Sequence, residues 1–297
     1  MQSTIANAHH HCTSALDTSF VQLGYAKIAV LGVVQGISEL LPISSTAHMR
    51  AIPAFLGWPD PGSAFSAAMQ LAALLAVIVY FRNDIIDVTR SFLRAAAGGA
   101  RNTPEFRLGA GIVLATIPIV IVGEAISGVL NRCGSPLRTP LVIGVACFGM
   151  AVVMGLAEIV ASHKRDAKSI TYLDAFLVGL AQIGALIPGV SRSGSTLTGA
   201  LFLGFKREDA ARVSFLLGIP AIAGAGLREL WALHKAGLPS EGWNVLAVGL
   251  IVASVSAFFA IWGLMRFLER SSTWPLVIYR AAFGLIVIAA ATMHWIE

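Results

Sequence analysis

A chain of 297 residues that is 56% hydrophobic and only 12% charged is unlike soluble domains, in which charged residues run near 25%. Its mean hydropathy of +0.77 points to a membrane protein. The net charge of +5 would suit nucleic acid. The basic residues lie in short connections, however, with no basic face interleaved with aromatics, so nucleic-acid binding is excluded.

Residues 1–19 read as a disordered polar tail. His9, His10, His11 and Cys12 lie in it with nothing around them to order four metal ligands. Cys12, Cys133 and Cys147 are far apart and form no CxxC pair, so neither a disulfide framework nor a zinc site is expected. The first twenty residues lack the basic start and apolar core of a signal peptide, so the first apolar segment is expected to direct insertion. Residues 20–297 then read as a single transmembrane domain.

Phe20–Gly57 is apolar but broken by Pro42 and the run Ser44, Ser45, Thr46. Clean stretches of the roughly 20 residues that cross a bilayer follow at Gly62–Phe81, Leu108–Leu130 and Thr139–Ala161. Asp174–Gly204 is broken in turn by Pro188 and a Ser/Gly cluster. Three more spans follow, at Asp209–Leu230, Trp243–Met265 and Pro275–Trp295. Non-helical backbone at membrane depth is tolerated only when buried in protein or lining a cavity. The expected fold is therefore an all-α membrane protein of six transmembrane helices plus two re-entrant helical hairpins.

Both breaks place Ser after an apolar-Pro pair, Leu41-Pro42 and Ile187-Pro188, and both run on to a Leu-Gly pair, Leu56-Gly57 and Leu203-Gly204. Three spans after each hairpin give the second half the opposite orientation. This predicts an inverted-topology repeat with halves of about 20–161 and 173–297, whose broken segments meet near the midplane. One side receives Arg82, Arg90, Arg94, Arg101, Arg107, Lys164, Arg165, Lys168, Lys206, Arg207, Arg212, Arg266 and Arg270. The positive-inside rule makes that side cytoplasmic, with both termini and the first hairpin open to the outer face.

Ionisable groups inside apolar segments are costly and mark function by default. The first hairpin places Gln35 and Glu39 one helical turn apart, then Ser44, Ser45, Thr46 and His48. A carboxylate, hydroxyl nucleophiles and an imidazole thus lie within a few residues. The second supplies Ser191, Arg192, Ser193, Ser195 and Thr196 beside Gly189 and Gly194. Backbone N–H groups, hydroxyls and a guanidinium fork suit a phosphate or pyrophosphate. Glu124, Glu158, Glu229 and Arg280, near segment ends, read as structural, and Gln70 as a supporting donor.

The stretch from Gln35 through Glu39 to Leu41-Pro42-Ile43-Ser44-Ser45-Thr46-Ala47-His48 resembles the [E/Q]xxxE…LPxSSTxH signature of the undecaprenyl-pyrophosphate phosphatases of the bacitracin-resistance type. Pro188-Gly189-Val190-Ser191-Arg192-Ser193-Gly194-Ser195-Thr196 is similar to their PGxSRSG[AS]T motif, and the likeness runs from about residue 24 to 295. It implies hydrolysis of undecaprenyl pyrophosphate to the monophosphate carrier for peptidoglycan synthesis, bacitracin resistance, and a bacterial inner-membrane location. It also implies a divalent cation, Mg²⁺ or Ca²⁺, at Glu39. Glu39, Ser45, His48 and Arg192 match the family's catalytic positions, while Gln35, Ser44, Thr46, Ser191, Ser193 and Thr196 are expected to bind substrate. Ser45, His48 or an activated water is the attacking group, with His48 or Glu39 as base. Two positions depart from the pattern: Gln35 is an amide where an acid is common, and Ser66 stands where relatives often carry Glu. A polyprenyl-phosphate flippase and a non-catalytic lipid binder are the rival readings. Small residues across Ile219–Gly226 permit a homodimer.

Overall fold

In a hydrocarbon layer every backbone N–H and C=O needs a partner within the chain, and helices supply one locally. Consistent with this, the computed structural model describes residues 18–130 and 136–296, and all its regular elements are helical apart from an isolated bridge between Arg165 and Phe205. The tail of residues 1–17, with His9 to Cys12, lies outside the described residues, as does Cys133.

The helices are α1 (Gly24–Leu40), α2 (Ser45–Phe55), α3 (Ser63–Tyr80), α4 (Arg82–Ala96), α5 (Pro104–Leu130) and α6 (Pro140–Val160). They continue as α7 (Tyr172–Ile183), α8 (Arg192–Phe202), α9 (Arg207–Lys235), α10 (Ser240–Leu268) and α11 (Trp274–Thr292). Among the described residues, six helical runs are long and apolar enough to cross a bilayer, which agrees with the expected number. Their membership differs. With the preceding 3₁₀ turn, α1 forms a run of 22 residues, Ser19–Leu40, that is itself long enough. The expected span Gly62–Phe81 is instead the first part of a broken pair, α3 and α4, bent by 75°. Arg82, Asp84, Asp87, Arg90 and Arg94 end its apolar run, and the chain continues as an amphipathic helix. α4 turns Ser91 and Ala95 inward, stacks Phe92 on Phe106 at 4.7 Å, and leaves Ile86 and Leu93 exposed.

The two hairpins use one device at one constant spacing along the chain. Ser44 (φ 75°) and Ser191 (φ 68°) are both N-caps in the left-handed region, accepting from Ala47 N–H and Gly194 N–H. Each also pairs with the hydroxyl two residues on, Thr46 or Ser193, at 3.2 Å. Gly57 and Gly204, both at positive φ, follow at the same spacing, so the serines and not the prolines are the equivalent positions. A non-glycine residue in this region costs of order 1–3 kcal/mol, which the cap hydrogen bonds help to offset.

The first arm of each hairpin packs on a long helix of the other half of the chain, α1 on α10 and α7 on α5. Glycine permits both crossings: a Cβ on Gly36 would stand 2.4 Å from Ala253 O, and one on Gly179 2.6 Å from Ala115 O. α3 packs on α9 and α6 on α11. This interlocking brings the two hairpin tips face to face.

Candidate active site at the meeting of the hairpins

Both tips are tied by hydrogen bonds to backbone. Thr46 Oγ1 accepts from Gly189 N–H at 3.1 Å, and Ser193 Oγ lies 3.1 Å from Glu39 O and 3.3 Å from Leu41 O. Arg280 of α11, fully buried, clasps the pair. Its guanidinium donates to Pro42 O (2.8 Å), Gly189 O (2.8 Å), Val190 O (2.5 Å) and Cys147 O (3.0 Å). Among the described residues the guanidinium bonds only to carbonyl oxygens, so its role is to hold the loops together.

The carboxylate of Glu39 lies between the tips, only 5% exposed. Its Oε2 accepts from Ser45 Oγ at 2.6 Å and from Gln35 Nε2 at 3.0 Å. Arg192 Nη2 stands 3.5 Å from Oε1, an ion pair more than a tight hydrogen bond. A hydroxyl pointed at a carboxylate, with a guanidinium at the carboxylate's other oxygen, has the geometry that a nucleophile–base pair next to an oxyanion donor requires. The amide at position 35 has a local reason. It donates to Glu39, where a second carboxylate would oppose it with like charge.

The structure brings together Gln35, Glu39, Ser45 and Arg192, with Ser193 between the tips. It does not bring His48 to Ser45. His48 Nδ1 bonds Ser44 O at 2.8 Å, Nε2 bonds Tyr279 Oη at 2.9 Å, and the ring stacks on Phe283 at 4.0 Å. With a carbonyl as its partner, Nδ1 carries the proton and Nε2 accepts. His48 thus props the strained Ser44 beside Ser45. Ser44 and Ser191 serve as caps, Ser195 Oγ donates to Arg192 O, and Thr196 bonds Arg192 O and Ser214 Oγ. Ser66 returns its hydroxyl to Gly62 O. Glu158 accepts from Arg207 and Thr273, tying α6 to the starts of α9 and α11, and Glu124 pairs with Arg228.

The sequence assigns no role to Gln182 or Tyr279. Gln182 had a detectable signal: it stands to Ser191 as Gln35 stands to Ser44. Tyr279 lines an apolar groove of about 1070 Å³ between α1, α10 and α11, together with Leu41 and Ile43 of the first tip.

A sequence profile of the family described as "Bacitracin resistance protein BacA" matches residues 28–286, which takes in both hairpins and nearly all the spans. The chain belongs to the BacA family. Within it, "Undecaprenyl-diphosphatase 2" of Mesorhizobium japonicum is 64% identical over 263 residues, covering 89% of this chain and 100% of the relative. "Undecaprenyl-diphosphatase" of Gloeobacter violaceus is 49% identical over 267 residues, covering 90% and 92%. The protein of that name from Synechococcus sp. (strain RCC307) is 46% identical over 266 residues, covering 89% and 92%.

Proposed function

We propose that this protein is an integral membrane phosphatase that hydrolyses undecaprenyl pyrophosphate to undecaprenyl phosphate and inorganic phosphate. It thereby recycles the carrier for peptidoglycan synthesis and confers resistance to bacitracin. The observation that carries this reading is the 2.6 Å hydrogen bond from Ser45 Oγ to Glu39, made beside the guanidinium of Arg192. In the first step Glu39 takes the proton of Ser45 as Oγ attacks the terminal phosphorus. The bond from that phosphorus to the bridging oxygen breaks, leaving the prenyl monophosphate and a phosphoserine. Phosphoryl transfer is mostly positioning and charge stabilisation, and Arg192 with the tip N–H groups supplies both.

A divalent cation, Mg²⁺ or Ca²⁺, suits this donor set as a guest shared with the pyrophosphate. Among the described residues no three His, Cys, Asp or Glu side chains converge, whereas Mg²⁺ is commonly held by one or two carboxylates plus substrate phosphates. Glu39 would hold it, and when bound it would neutralise charge on the phosphates.

The protein is placed in the bacterial cytoplasmic membrane, with both hairpins re-entrant and the site open to the periplasmic face. Ion pairs support the orientation: Arg212–Asp84 and Arg207–Glu158 gather the basic ends of α4, α6 and α9 on one side. A homodimer would use the open face at Gly224, since Gly226 packs on Leu71 within the protomer.

Phosphate release from farnesyl pyrophosphate by the detergent-purified protein tests the function. Ser45→Ala, Glu39→Gln and Arg192→Ala are expected to lower kcat by about 10²–10⁴-fold, the range for a lost acid–base or oxyanion group. Full activity in any of the three would overturn the assignment of that residue. A flippase or a non-catalytic binder would release no phosphate at all.

A further inference from the structure

The first step uses one arm of the Arg192 guanidinium and leaves the rest. Arg192 Nε and Nη1 are buried and have no hydrogen-bond partner among the described residues. Gln182 of α7 is fully buried as well. Its Nε2 donates to Ala115 O at 3.4 Å, while its Oε1 has no partner among the described residues. Both groups border Gly218 of α9: a methyl built there would stand 1.9 Å from Arg192 Nη1 and 3.8 Å from Gln182 Oε1. Buried polar atoms are nearly always satisfied by protein, water or ligand, so an unpaired guanidinium nitrogen and an unpaired amide oxygen that both border Gly218 call for a partner.

The polarity of those atoms selects the partner. An ionised phosphate oxygen accepts from Arg192 but has no proton for Gln182 Oε1, and the two oxygens would repel. Water does both: it accepts from a guanidinium N–H and donates to an amide oxygen.

We infer that Gln182 is a catalytic residue whose Oε1 holds the water that hydrolyses the phosphoserine, beside the phosphoryl group that Arg192 stabilises. This rests on the Ser45 reading above. The water oxygen forms the new bond to phosphorus and the bond from phosphorus to Ser45 Oγ breaks. One water proton passes to the Glu39 carboxylate, which has released its first proton, and on to Ser45 Oγ. The other stays on the product phosphate. Gln182 takes no proton and directs the lone pair, as water-positioning amides do in other phosphoryl transfers.

The test follows the two products separately, with farnesyl pyrophosphate labelled in its terminal phosphate. Gln182→Met removes the acceptor and keeps the bulk. It is expected to give a first-turnover burst of farnesyl monophosphate equal to wild type, inorganic phosphate released at least tenfold more slowly, and label retained on the protein. Gln182→Glu restores an acceptor oxygen and is expected to recover at least a third of the phosphate release, which also covers a failure of Gln182→Met to fold. Unchanged phosphate release in Gln182→Met, or equal slowing of both products, would overturn the role of Gln182. So would a Gln182→Glu as slow as Gln182→Met. Ser45→Ala separates the two readings, because full turnover without label in that variant overturns the covalent step itself.

Discussion

At the residue scale, the site shows how few side chains carry the chemistry and how many hold those few in place. Ser45 and Glu39 touch directly, whereas His48 and Arg280 act on the backbone around them. Arg280 is the costlier to lose, because its removal strands buried carbonyl oxygens of both tips. Each hydrogen bond from a charged group contributes about 1.5–3 kcal/mol. Arg280→Met is therefore expected to destabilise the protein by more than about 3 kcal/mol, read as a fall in the detergent melting temperature. Arg280→Lys should recover little, since a point ammonium cannot span carbonyls set around a planar fork. A Lys variant with wild-type melting would refute the clasp. Gln35 acts in the same way on a side chain: its amide donates to Glu39 and fixes the orientation of that carboxylate.

At the element scale, the placement of the base depends on how α1 meets α10. Gly36 is the close point of that crossing. A Cβ there would stand 2.2 Å from Ser256 Oγ and 2.4 Å from Ala253 O, and a backbone carbonyl cannot swing aside. Overpacking of this kind costs typically 1–3 kcal/mol. Gly36→Ala is expected to lower the melting temperature and, by shifting α1, to reduce kcat more than it raises KM. A Gly149→Ala control faces open space and should change neither. Equal behaviour of the two variants would show that the crossing does not set the site. The α3–α4 break belongs to this scale as well. Hydropathy marks where the apolar run stops, but the bend arises because α4 covers the start of α5 with Ser91, Phe92 and Ala95.

At the scale of the whole molecule, the proposed orientation places the C-terminus outside. A C-terminal tag on intact spheroplasts should be cleaved by added protease without detergent, and protection until lysis would reverse the topology. Much of this architecture was legible in the sequence, because a bilayer demands long apolar helices and makes every buried polar residue conspicuous. Length and hydropathy marked closely five of the six runs that are long enough to cross. The cost of burying Glu39 and Arg192 marked the place where the two hairpins meet, and two ordered motifs picked out the family. The sequence could not say that His48 turns from Ser45 to Tyr279, since three residues along a helix fix a face and not a partner. Nor could it show that Arg280 reaches both tips, or that Gln182 and Arg192 both border Gly218. Those facts depend on contacts between residues far apart in the chain. Only the packing of the two halves against each other creates them, and it is this packing that turns two polar breaks into one active site.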